Sequence, residues 1–224
     1  MEQVRAVVFD AYGTLLDIHA AMGRYADRLG PHWQQISADW RMKQVEYSWV
    51  RSLAGPSHHR DFWQLTQDAL AWTASRHDIH DAALLADILM AYRHLDAYPE
   101  VPAVLRQLRD KGLGRAILSN GEPGMLRDAV QTAGLTDLLS AVLSVEAVGV
   151  FKPDPRVYQL AGQHFGLATS QMAFVSSNPW DAFGAQAFGF KVFWVNRTGQ
   201  RAEYDLNGKV SEIRDLSALA GMLG

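Results

Sequence analysis

The chain has 224 residues, 48% of them hydrophobic, which suits one α/β domain, or one such domain with an insertion, and argues against disorder. Its 21 basic and 24 acidic residues give a formal charge of −3 with no long run of one sign, unlike a nucleic-acid or membrane-surface binder. No apolar stretch approaches the roughly 20 residues of a bilayer span, and the N-terminus enters an apolar run directly rather than a signal segment, so a soluble cytoplasmic protein with no membrane partner is expected. The absence of cysteine excludes disulfides, a thiol nucleophile and thiolate metal ligands.

In chain order, Ala6-Val7-Val8-Phe9 is a continuous apolar run, as in a parallel strand covered on both faces, and it ends at Asp10 before a turn at Gly13-Thr14. From about Asp17 to Ala97 no strand-like run occurs and helical stripes follow one another. Ser37 to Ala54 is predicted to be a helix with Ser37 as N-cap and Met42, Val45, Trp49, Val50 and Leu53 on its apolar face, stopped by Gly55-Pro56. Phe62 to Ser75 and Asp81 to Leu95 read as further helices. After Tyr98-Pro99 come a helix through Val104 and Leu108, a strand at Arg115 to Asn120, a helix through Leu126 and Val130, and a strand at Ala141 to Val145. A helix capped by Asp154 with Pro155 at its first position follows, then strands at Met172 to Ser176 and Lys191 to Val195. The expectation is a Rossmann-like parallel five-stranded α/β core, residues 1–16 and 98–224, with an inserted all-helical cap at 17–97.

Polar residues collect where the strands end: Asp10 after the first, Ser119 and Asn120 after the second, Ser176, Ser177, Asn178 and Asp181 after the fourth. Asp10 alone could equally be a turn cap, but carboxyl ends of parallel strands form one rim, and ligands of such sheets bind there. Taken singly, Arg41 reads as a solvated cation, Lys152 as a loop cation and Tyr158 as a core aromatic. The pairs His58-His59 and His77/His80 have no cooperating ligands, and no Gly-x-Ser-x-Gly elbow, phosphate loop or dinucleotide fingerprint is present.

The segments Asp10-Ala11-Tyr12-Gly13-Thr14, Leu118-Ser119-Asn120-Gly121, Lys152-Pro153 and Ser176-Ser177-Asn178-Pro179-Trp180-Asp181 resemble the four motifs of the haloacid dehalogenase superfamily. Within it the chain most resembles the L-2-haloacid dehalogenases, whose cap helix is similar to Trp40-Arg41-Met42-Lys43-Gln44-Val45-Glu46-Tyr47. The phosphatase majority typically carries a second Asp two residues after the nucleophile, where this chain has Tyr12. An alkoxide leaving group gains about 10²–10⁴ in rate from a general acid, whereas a halide leaves without one. The fourth motif is also poor in the acidic residues that hold magnesium.

The resemblance implies a metal-independent enzyme without cofactor, in which Asp10 displaces halide from a 2-haloalkanoic acid and the resulting ester is hydrolysed. Lys152 would hold Asp10 ionised, Asp181 would serve the hydrolytic water with Asn178, Ser176 and Thr14, and Tyr158 would partner the site. Ser119 would bind the substrate carboxylate, Arg41 and Asn120 the departing halide, and Tyr12, Val45, Phe62 and Trp180 would form the apolar wall. It also implies a homodimer. The competing readings are a phosphohydrolase of the same superfamily and a catalytically silent small-molecule-binding protein.

Overall fold

The four side chains of β1 (Ala6–Phe9) are all buried, because this strand lies inside a wholly parallel sheet. In the computed structural model, which describes residues 3–223, it is followed in the chain by β2 (Gly114–Ser119), β3 (Ala141–Ser144), β4 (Met172–Ser176), β5 (Lys191–Val195) and β6 (Ser211–Ile213). Their order is β3-β2-β1-β4-β5-β6, that of a doubly wound sheet whose direction of growth reverses beside β1. The register sets Phe9 level with Ile117 of β2 and Val175 of β4, so the ends of these three strands open onto one crevice.

The sheet has six strands where five are expected. The additional one, Ser211-Glu212-Ile213, has three residues and a single buried side chain, too little pattern to register in sequence. Residues 1, 2 and 224, at the outer ends of the expected core segments, lie outside the described residues.

Between β1 and β2 the chain forms α1 (Ile18–Gly23), α2 (Ala26–Leu29), α3 (Trp33–Ala54), α4 (Phe62–Arg76) and α5 (Ala82–Arg93), then α6 (Val101–Asp110). The first five form an excursion whose ends are stitched together above the sheet. Asp17 N donates to Asp96 O (2.9 Å), Tyr98 N donates to Leu15 O (3.0 Å), and Leu16 bridges to both Tyr12 and Ala97. The remaining helices, α7 (Pro123–Thr132), α8 (Pro155–Phe165), α9 (Pro179–Phe188) and α10 (Leu219–Met222), belong to the alternating part of the chain.

In α3 the structure corrects two expectations. The helix starts at Trp33, so Ser37 lies inside it as a buried residue whose Oγ is 3.0 Å from His19 Nδ1, and not as a cap. Met42, Val50 and Leu53 are exposed, Leu53 to 88%, whereas the buried side is Ile36, Ser37, Asp39, Trp40, Gln44, Val45 and Ser48. Polar residues tolerate that side because they are satisfied there. Gln44 Nε2 donates to Thr66 Oγ1 (2.9 Å), Tyr92 Oη donates to Gln44 Oε1 (3.0 Å), and Trp40 Nε1 donates to Thr66 O (2.9 Å). Of the predicted apolar face, Val45 is buried and Trp49 half-buried, and the other three members point outward.

A buried hydrogen-bonded amide behaves differently from an exposed one. Gln44→Ala removes the acceptor of the buried Tyr92 hydroxyl and the donor to Thr66 Oγ1, and should cost about 1–3 kcal/mol in urea unfolding. Gln34→Ala, exposed on the same helix, should stay within about 0.5 kcal/mol of the parent. Equal effects would contradict the burial of this network.

Candidate active site

Asp10 leaves the end of β1 with its backbone N–H donating to Val175 O (2.9 Å), so its carboxyl turns into the crevice between β1 and β4. The two carboxylate oxygens are held differently. Oδ2 accepts from Asn178 Nδ2 (2.8 Å) and from Thr14 Oγ1 (3.2 Å), while among the described residues Oδ1 accepts only from Lys152 Nζ (3.2 Å). Thr14 is itself aimed by Ser177, whose backbone N–H donates to its Oγ1 (2.9 Å).

The Lys152 ammonium is fully buried and lies between two carboxylates, since it also donates to Asp181 Oδ2 (2.9 Å). The Phe174 ring of β4 covers it from a third side, 5.0 Å from nitrogen to ring centroid. Asp181, in the first turn of α9 and 0% exposed, accepts from Tyr158 Oη at its other oxygen (2.7 Å). Burial pushes its carboxyl above the ordinary carboxylate range; Lys152 pulls the other way and Asp10 adds to the rise. Burial, with the negative charge of Asp181, likewise keeps the Tyr158 hydroxyl protonated.

Three of the remaining predicted residues accept from the backbone. Ser176 Oγ accepts from Asn178 N (3.1 Å) and so orients the amide that holds Asp10. Asn120 Oδ1 accepts from Lys152 N (3.0 Å), which leaves its amide hydrogens free to donate. Ser119, buried, accepts from Gly121 N (3.1 Å) and retains its own hydroxyl proton.

Tyr12, Phe62 and Phe151 form a run of rings, with Tyr12 and Phe62 centroids 6.3 Å apart and Phe62 and Phe151 6.0 Å apart. Tyr12 stacks almost parallel on Tyr92 (5.6 Å, 5°), and Trp180 meets Trp49 edge to face (5.5 Å). Val45 is buried on the same helix as Arg41. Burial, reinforced by Tyr92, raises the Tyr12 hydroxyl well above its ordinary pKa, so it stays a donor. Tyr12 Oη and Arg41 Nη1 are both buried with no hydrogen-bond partner among the described residues. Such groups carry a cost that an anionic guest relieves.

A cavity of about 200 Å³ lies beside this cluster, lined by Tyr12, His19, Arg41, Asn178 and Arg197 among others. It is smaller than the roughly 300–1,000 Å³ usual for drug-sized ligands, which fits a small substrate. A larger cavity, about 680 Å³, lies against α7, β3 and α8, and none of the predicted site residues lines it.

A divalent metal does not fit. The position between Asp10 and Asp181 is taken by an ammonium group, and Tyr12 supplies no carboxylate. Among the described residues no group of three or more His, Asp or Glu could hold one.

Sequence reasoning missed Tyr92, Trp49, Ser52 and Phe151. The first three sit in the helical excursion, where they read as ordinary packing or surface residues, and only the fold brings them to the strand ends. Adjacency to Lys152 was the one signal that marked Phe151.

A family model described as haloacid dehalogenase-like hydrolase matches residues 4–189. Over its full length the chain is 42% identical to (S)-2-haloacid dehalogenase 4A of Burkholderia cepacia, covering 96% of that protein. It is 46% identical to the (S)-2-haloacid dehalogenase of Pseudomonas sp. strain YL over 89% of this chain and 85% of the relative. It also superposes on the structure of L-2-haloacid dehalogenase from Xanthobacter autotrophicus with chloropropionic acid covalently bound, with a TM-score of 0.89 and 36% identity. That match covers 99% of this chain and 98% of the other.

One ammonium between two buried carboxylates has a consequence for stability. Lys152→Met leaves both acids without the cation, which should cost about 3–5 kcal/mol at pH 7. The Asp181 carboxyl, already raised by burial, then rises further above its unfolded value, so the folded variant binds more protons than the unfolded chain and stability falls as pH rises. Part of the loss should therefore return at pH 5. Urea midpoints at the two pH values check this, and an equal deficit at both would contradict it.

Proposed function

The chain belongs to the haloacid dehalogenase-like hydrolases, and on that premise we propose that it hydrolyses short L-2-haloacids to D-2-hydroxy acids through an ester on Asp10. The observation that carries the reading is the pairing of an Asp10 carboxylate, held by Lys152, with Tyr12 at the place where a phosphatase of the superfamily keeps its acid. A nucleophile is prepared, and no carboxylic acid stands two residues on to protonate an alkoxide.

Oδ1 carries one donor against two on Oδ2 and keeps a lone pair for attack on the carbon bearing halogen. Displacement from the side opposite the halogen inverts that carbon, and halide departs toward Arg41 Nη1 and the Asn120 amide. Ser119 and neighbouring backbone N–H groups receive the substrate carboxylate. Tyr12, Val45, Phe62 and Trp180 enclose its alkyl part.

In the ester the carbonyl oxygen is Oδ2, which already faces Asn178 Nδ2 and Thr14 Oγ1. Those two donors form an oxyanion hole when water adds to the Asp10 carboxyl carbon. Asp181, its proton affinity raised by burial, accepts the water's proton, and Tyr158 and Lys152 fix its orientation. Collapse of the adduct breaks the bond between the carboxyl carbon and Oδ1, and the proton that Asp181 took from water passes to Oδ1 as it leaves, while Asp10, left as the acid, gives up its own proton to solvent. The hydroxy acid leaves with Oδ1, and the inverted carbon is not touched again.

We further infer that residues 17–97 act as a cap on a core of 1–16 and 98–224, excluding bulk water during turnover. A cytoplasmic homodimer completes the reading. Its supports are the resemblance and the exposed apolar side chains Met42, Val50 and Leu53 of α3.

Halide release from each enantiomer of 2-chloropropionate in chelator, beside a phosphate ester with magnesium, tests the reading. Release from the L enantiomer alone is expected, with loss of more than about 10³-fold in Asp10→Asn. Phosphate release without halide would favour the phosphohydrolase, and silence in both arms the binding protein.

A further inference from the structure

Lys152 sits in a stretch with neither strand nor helix, between β3 and α8, yet its ammonium is placed against two carboxylates at once. A loop residue has no ladder to fix it, so the question is where its backbone hydrogen bonds go. Lys152 N donates to the Asn120 side chain (3.0 Å). The other two bonds come from the excursion: Trp49 Nε1 donates to Lys152 O (3.2 Å), and Phe151 N donates to Ser52 Oγ (3.0 Å).

Both partners are on α3, the helix that carries Arg41. Positions 41, 45, 49 and 52 fall at helical spacing on one side, so a single rigid element presents Arg41, with its unpartnered Nη1, at one point and two backbone clamps at another. Trp49 is further held by Trp180, the second residue of α9, the helix that supplies Asp181. We propose that Trp49 and Ser52 are positioning residues that set the Lys152 ammonium against Asp10 and Asp181 only while α3 is seated on the core. Seating of the cap and assembly of the nucleophile then become one event. The inference rests on the dehalogenase reading for its chemistry and on the hydrogen bonds alone for its geometry.

Loosening this backbone lets the ammonium draw back from Asp181, whose other charged and titratable neighbours are Asp10 and Tyr158. Because Lys152 lowers the proton affinity of Asp181, its withdrawal makes that carboxyl titrate at higher pH.

The test compares Trp49→Phe, which keeps an aromatic ring against Trp180 but loses the donor, Ser52→Ala, and Ser52→Thr, which keeps a hydroxyl at this half-buried site. In Trp49→Phe and Ser52→Ala, kcat for L-2-chloropropionate should fall about tenfold with KM within about twofold. The acid limb of the kcat profile should move to higher pH, and Ser52→Thr should recover most of the rate. Carbon NMR of the Asp181 carboxyl should show the same upward movement whether or not the parent releases halide. Silence of the parent would therefore count against the proposed function and leave this placement open to its own readout. Unchanged Asp181 titration and an unmoved acid limb in both variants would overturn the inference, even if melting temperature dropped.

Discussion

The structure depends on one buried ammonium group shared by two carboxylates. Lys152 Nζ, with no exposed surface, stands 3.2 Å from Asp10 Oδ1 and 2.9 Å from Asp181 Oδ2, and the Phe174 ring closes a further side. Two anions and one cation in a buried site are costly, and further donors on the carboxylates offset that cost. Tyr158 occupies the free oxygen of Asp181, and Asn178 and Thr14 occupy Oδ2 of Asp10. The parallel sheet makes this possible because β1 and β4 are neighbours and deliver Asp10 and the Ser176-to-Asp181 segment to the same rim.

The same arrangement divides the labour between the two oxygens of one carboxylate. The doubly held oxygen becomes the carbonyl of the ester and meets its donors already in place, so little reorganisation is needed when charge builds there. The singly held oxygen is left to attack. Tyr12 Oη and Arg41 Nη1 are buried without partners among the described residues, and on the proposed reading a carboxylate or halide would supply what they lack. Donors at rest inside the cavity are the counterpart of acceptors at rest on the nucleophile.

Much of the core was legible because its strands are continuous apolar runs and its helices carry clear stops, such as Gly112 and Gly134 after α6 and α7. Strand β6 was not, since three residues with one buried side chain carry no period. In α3 the apolar pattern misled: Met42, Val50 and Leu53 face outward, while Ser37 and Gln44 are buried in hydrogen bonds to other helices and Ser48 is buried with its hydroxyl on Val45 O of its own helix. At the site, the motif residues announced themselves at strand ends. Tyr92, Trp49 and Ser52 did not, because their roles come from tertiary approach across 48 to 103 residues of chain.

The ester on Asp10 makes a claim about oxygen that a single turnover can read. With enzyme in excess over L-2-chloropropionate in ¹⁸O-labelled water, the hydroxyl oxygen of the first product should be unlabelled, having come from Asp10, and the label should appear in the Asp10 carboxyl by peptide mass. Label in the first product with none in Asp10 would mean that water attacks the substrate carbon directly, and would contradict the nucleophilic role of Asp10.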